Sequence, residues 1–263
     1  MDHRAEYKTS FLAYVDVLGW KRIVEQIGTD FDRLDDILRV YSTLASHAGE
    51  DSWIRTLGAE MPALSPPHHL VASDTIILSV PDDGHALFSL VLRCGKICAD
   101  LLRLGFLTRG AIVRGKLYHQ GQVIFGEALT AAYLQEQRSA RYPRVLVSPE
   151  VIARLEDGGP LKGPWAKSTY GNWFRRDQDG FCRLNLFANL FIPSDETRAS
   201  HFADAQETIV RALVEHVPGS EEFAKAHWLA EIYNSELQRL VTLEQARAEG
   251  IKPIELSVLR DRK

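Results

Sequence analysis

Between Ser10 and Leu18 the chain reads SFLAYVDVL, a β-branched and aromatic run stopped by Gly19, which predicts a buried strand. The pattern then turns helical from Trp20 to Ile27. A second helix is predicted from Asp30 to His47, with Leu34, Ile37, Leu38 and Tyr41 on one face. Ala48 to Pro67 is irregular and rich in Gly and Pro, so loop with a short strand is expected there. The run HHLVASDTIILSV at 68–80 reads as two short strands joined by a tight turn at Ser73-Asp74. Pro81-Asp82-Asp83-Gly84 stops the second strand and opens a long helix, about His85 to Leu104, ended by Gly105.

Phe106 to Tyr118 alternates as a strand does, with Gly121 to Phe125 as its hairpin return. Gly126 opens a helix to about Ala140, a strand follows at Val145 to Val147, and Ser148-Pro149 supplies the cap and first residue of another helix. Gly158 to Gly180 is loop-rich, with Trp165, Tyr170 and Trp173. Phe181 to Leu190 is the last predicted strand, and amphipathic helices over Asp195 to His216 and Glu221 to Ala248 close the chain before a basic tail. Interleaved helices, strands and hairpins predict an α+β fold, a mainly antiparallel sheet flanked by helices.

Composition narrows the class. The 263 residues are 45% apolar and 25% charged, enough to bury a core without disulfides or a structural metal. The three cysteines are an odd number. Cys94 and Cys98, four apart in an apolar helical run, read as core residues in a reducing compartment. No apolar run reaches the roughly 18 residues that span a bilayer, and MDHRAEYKTS has no signal-peptide order, so a cytoplasmic protein is expected. A net charge of −4 without a basic patch argues against a nucleic-acid surface.

Two acidic residues break the pattern. Asp16 sits inside FLAYVDVLG and Asp74 inside LVASDTIIL, and an ionised carboxylate among strand residues is costly unless paired or bound to a cation. The two could each cap a turn. They could also converge and, with no Arg to compensate them, hold Mg²⁺ or Mn²⁺. Leu18-Gly19-Trp20 is a strand-to-helix turn whose amides can face an anion, with Lys21 and Arg22 close by.

The run Phe11–Trp20 resembles the first-strand signature of class III nucleotide cyclases, in which a metal Asp precedes a Gly-aromatic turn. Ser73-Asp74 is similar to the family's second metal position. The run Arg109-Gly110-Ala111-Ile112-Val113-Arg114-Gly115-Lys116 resembles its Arg-x-Gly-Ile-x-x-Gly-basic strand. Phe125-Gly126 through Ala132 resembles its Trp-Gly helix start, and Val145 to Ser148 a later strand. The likeness implies a catalytic domain over 1–192 with a helical extension over 193–263, two divalent metals per site, and a homodimer with shared sites. In that arrangement Asp16 and Asp74 are the catalytic metal ligands, and Val17 adds a carbonyl. Leu18, Gly19 and Trp20 face the triphosphate, while Lys116 with Arg114 contacts phosphate from the other subunit.

The departures from the family are informative. Where purine cyclases place a Lys and an Asp that read the base, this chain has Leu70 and Val123, neither of which can hydrogen-bond a purine edge. A shifted register would bring in His69 or His68. The family's Asn and Arg on the helix are replaced by Thr130 and Leu134, leaving Arg138, Arg141, Arg114 or Lys116 to substitute. Gly126 to Tyr133, with the later Trp228-Leu229 and Tyr233-Asn234, resembles the bacterial pyrimidine cyclases of the Pycsar anti-phage system. That implies conversion of UTP or CTP to a cyclic monophosphate that activates a separate effector. Two other possibilities stay open: a silent nucleotide sensor, and a purine cyclase with a rearranged base pocket.

Overall fold

The computed structural model describes residues 7–27, 34–35, 37–38, 67–158, 172–188, 198–248 and 250–256. The predicted helix over 30–47 lies outside these apart from four helical residues, as do the loop at 48–66 and the region of Trp165 and Tyr170.

The first strand, β1 (Lys8–Val17), lies inside the sheet and is buried on both faces along most of its length, which explains the apolar run from Phe11 to Val15. The helix α1 (Trp20–Ile27) follows, then the hairpin β2 (His68–Ala72) and β3 (Thr75–Pro81). After α2 (Gly84–Arg103) come β4 (Thr108–Gln120) and its return strand β5 (Val123–Gly126), then α3 (Glu127–Ser139), β6 (Val145–Val147) and α4 (Pro149–Gly158). The hairpin β7 (Phe174–Arg176) and β8 (Cys182–Leu184) ends the sheet, and α5 (Arg198–Glu215), α6 (Glu221–Leu240) and α7 (Leu243–Ala248) follow.

Among the described residues the sheet has eight strands, in the order β2-β3-β1-β4-β6-β8-β7 with β5 paired to β4. Only β4 and β6 run parallel. The α+β prediction, a mainly antiparallel sheet flanked by helices, therefore holds. Strand alternation splits the interior in two. Phe11, Ala13 and Val15 face α2 and α4 together with Ile112, whereas Leu12, Ala111, Val113 and Leu117 face Ala128 and Ala132 of α3. A third cluster joins α5 and α6 to Leu102 and Phe187, so the C-terminal helices pack onto the end of α2 and the chain after β8.

Local signals behave as chemistry dictates. Asp83 caps α2, its carboxylate accepting from the amides of His85 and Ala86 at 2.9 Å each, and Gly105 takes φ 87° just past the end. Cys94 and Cys98 are buried and unbridged, as predicted. Three expectations need correction. Ser148 does not cap α4 with its side chain, whose buried Oγ has no hydrogen-bond partner among the described residues. The last predicted strand is only three residues long and is paired by β7, which the loop-like sequence around it concealed. The final helix breaks at Val241, whose φ −116° and ψ 129° are extended.

Candidate active site

Register decides where the two isolated aspartates go. Asp16 lies opposite Thr75 on β3 and opposite Arg109 on β4. Ser73 and Asp74 form the two-residue connection between the paired residues Ala72 and Thr75. The Val17 amide donates to the Asp74 carbonyl at 3.0 Å. Two acids far apart in sequence are thereby brought to neighbouring strand ends. Ser73 takes φ 57°, the only positive φ outside glycine among the described residues. A hairpin turn with φ > 0 at its first central residue favours glycine, so a serine there stores strain beside a candidate ligand.

Asp16 is not alone. Arg109 Nε lies 3.2 Å from Asp16 Oδ2, and the two side chains are 20% and 16% exposed. The same Nε is ion-paired with Glu136 of α3, which is wholly buried. The expectation of carboxylates without a compensating Arg is therefore corrected: the strand register puts Arg109 directly across from Asp16. Burial pushes the Asp16 carboxyl up, Arg109 pulls it down, and the nearby Asp74 charge pushes it up again, for a net rise. Glu136 is raised for the same leading reason, burial, against the pull of Arg109. Tyr14, two residues before Asp16 on the same face, has its hydroxyl 3.4 Å from Thr75 Oγ1 and its ring edge-on to Tyr133. Burial raises its phenol, and the charges of Asp16, Glu136 and Asp74 add to the rise.

The C-terminal helices also reach this face. Lys225 of α6 is close enough for its charge to pull the Asp16 carboxyl down, and its Nζ lies 2.7 Å from Glu221 Oε1. Glu221 in turn is held low by Lys225 and, more weakly, by Arg109 and Arg141.

The phosphate cradle is smaller than expected. The Val17 amide is taken by Asp74 and the Leu18 amide donates to the Leu107 carbonyl at 2.8 Å, so neither faces an anion. Gly19 takes φ 75° and is exposed, with Trp20 opening α1 beside it. The Ile23 amide donates to the Gly19 carbonyl at 3.2 Å, which sets Gly19 at the entry of that helix.

Arg114 and Lys116 are not brought to Asp16 within the chain. They pair with Phe11 and Thr9, five and seven positions along β4 from Arg109, which is about 17 and 23 Å at strand rise. Alternation also turns them to the opposite sheet face, where Arg114 pairs with Asp82. Of the base-edge positions, Leu70 is half-buried and Val123 exposed. His68 lies with its ring centroid 5.5 Å from that of His119, and the His119 Nδ1 is 2.7 Å from Ser79 Oγ. Thr130, Leu134, Arg138 and Arg141 are exposed.

Sequence reading missed Glu136 and Lys225 and did not see what Arg109 faces. Glu136 had a signal: it continues the stripe Ala128, Ala132 at steps of four, all buried. The pairing of Arg109 with Asp16 had none, because strand register is invisible without the fold.

Two carboxylates on adjacent strand ends fit a hard divalent cation, which takes one or two protein carboxylates and completes its shell with water and phosphate oxygens. Among the described residues no group of three or more His, Cys, Asp or Glu converges. No described helix is long and apolar enough to cross a membrane.

No protein-family model matches the sequence, and no curated protein matches it. Among solved structures, a bacterial light-regulated adenylyl cyclase is similar over 79% of this chain at 13% identity and a TM-score of 0.45. The match spans 59% of that protein's own length. The catalytic core of a rhodopsin-guanylyl cyclase with converted specificity, in complex with ATPαS, is similar over 68% of this chain and 96% of its own, at 11% identity and a TM-score of 0.40. Similarity this low transfers no activity to the chain.

Proposed function

We propose that the chain is a divalent-metal-dependent nucleotide cyclase that converts a pyrimidine nucleoside triphosphate, UTP ahead of CTP, to its 3′,5′-cyclic monophosphate and pyrophosphate. One observation carries the reading: β1 and the β2–β3 turn bring Asp16 and Asp74 together at the start of α1. In the reaction the ribose 3′-oxygen bonds to the α-phosphorus, the bond from that phosphorus to the bridging oxygen breaks, and the hydroxyl proton passes to solvent. A bound Mn²⁺ or Mg²⁺ pair would ease loss of that proton and neutralise charge on pyrophosphate. Asp16, Asp74 and the Val17 carbonyl hold the cations in this reading. The amides of Gly19 and Trp20 bind phosphate, and Lys116 with Arg114 serves the partner's site.

Exposed Val123, Phe125, Tyr133 and Leu134 support a homodimer that buries β5 and α3. Leu70 and Val123 support a pyrimidine, since neither reads a purine edge. An effector that responds to the cyclic product, in anti-phage defence, belongs to the same reading.

A second reading, a nucleotide sensor without turnover, is favoured by the ion pair that Arg109 makes with Asp16. One experiment separates them: each of the four nucleoside triphosphates with Mn²⁺, and any cyclic product identified by mass. Cyclic UMP is expected, reduced by about 100-fold or more in Asp16→Asn, given the usual cost of losing a charge-stabilising group. Nucleotide binding without any cyclic product would select the sensor. Cyclic AMP or GMP would overturn the pyrimidine assignment.

A further inference from the structure

Arg109 poses a problem that the two aspartates do not solve. Its Nε is 3.2 Å from Asp16 Oδ2, and its side chain is only 20% exposed. A divalent ion approaching Asp16 meets a fixed positive charge already on the same carboxylate. A guanidinium displaced from its anion in so enclosed a place would be a stranded charge, which is expensive.

Glu136 is the second carboxylate on that guanidinium. It reaches the same Nε from α3, with no exposed surface, and its second oxygen accepts from Gln137 Nε2 at 2.8 Å. One cation therefore bridges two carboxylates, and the trio carries a net charge of −1. Ala132 and Ala128, one and two turns earlier on the buried stripe, have side chains short enough for α3 to lie close to the sheet.

We infer that Glu136 is a positioning residue for the metal: it takes over the charge of Arg109 when Asp16 turns to the ion, so that Asp16 is released without stranding the guanidinium. The inference rests on the proposed reading of Asp16 and Asp74 as cation ligands. Glu136 touches neither substrate nor ion in this scheme and acts through Arg109 alone.

The test uses Mn²⁺ alone, without nucleotide, with the free ion counted by electron paramagnetic resonance. Wild type is expected to bind more tightly than Asp16→Asn. Glu136→Gln is expected to weaken binding about tenfold, the usual range for an outer-shell partner, with unchanged far-UV circular dichroism. The pair Arg109→Met and Arg109→Met/Glu136→Gln is expected to bind equally, and at least as tightly as wild type, because no guanidinium then competes. If Glu136→Gln does not fold, this pair still decides the matter. An unchanged Glu136→Gln, or a double variant weaker than Arg109→Met, overturns the inference. A wild type no tighter than Asp16→Asn overturns the cation reading itself, and the inference with it.

Discussion

His201 sits on α5 with no exposed surface, its Nε2 3.2 Å from the Leu186 carbonyl. Burial lowers its pKa from 6.5 to about 4. Between those values the unfolded chain binds a proton that the folded chain refuses. The stability His201 contributes is therefore whole above pH 6.5 and is lost as pH falls toward 4. At 1.36 kcal/mol per pKa unit, the loss by pH 4 is about 3 kcal/mol. His119, half-buried and also lowered to about 4, works in the same direction. Asp16 and Glu136 are raised and work in the opposite one, since the folded chain holds their protons more tightly. His201→Gln keeps a donor for Leu186 but cannot titrate. Denaturant unfolding at pH 7 and pH 4 should show wild type losing about 3 kcal/mol more than this variant; equal losses would refute the assignment.

Among the elements, β4 shows what a sequence displays and what it hides. Gly110 stood out as part of a motif, and its physical reason is contact: a Cβ there would lie 2.1 Å from the Tyr14 carbonyl oxygen of β1. Gly110→Ala must push the two strands apart at the rung beside Asp16 and Arg109, at a cost of about 1–3 kcal/mol. A melting temperature equal to wild type would show that the strands have slack. The turn at Ser73-Asp74, the cap at Asp83 and the stop at Gly105 were legible because each is decided within a few residues. The α2 helix, with Leu87 to Ala99 buried in one unbroken stretch, was legible for the same reason. The opposite faces taken by Arg109 and Lys116 were not, since they depend on which strands pair. The hairpin of β7 and β8 was hidden because three-residue strands carry too little alternation to read.

At the scale of the molecule, the C-terminal helices are fastened to the sheet by charge as well as packing. Arg175 of β7 grips Glu236 of α6 through Nε at 2.6 Å and through a terminal nitrogen at 3.0 Å, and Asn185 donates to the same carboxylate at 3.1 Å. Trp228 stacks on Tyr142 with centroids 5.1 Å apart. Glu236 is only 2% exposed, so Glu236→Ala removes from the interior the carboxylate that Arg175 and Asn185 share. It should cost about 3–5 kcal/mol, readable as a fall in melting temperature; a shift under about 1 °C would show that the latch is idle. Phe125 is 54% exposed and stacked on Tyr118 and Tyr7. Phe125→Glu should turn the proposed dimer monomeric by sedimentation velocity, and a persisting dimer would place the interface elsewhere. The central position of β1 also sets a timetable for synthesis. Its inner partner β4 ends at Gln120, about a hundred codons later, which at 5–20 residues per second is roughly 5–20 s of translation. Through that interval Phe11, Leu12 and Val15 have left the ribosome without their full shelter, so holding factors that shield nascent apolar segments should matter more for this chain than for one whose first strand closes locally.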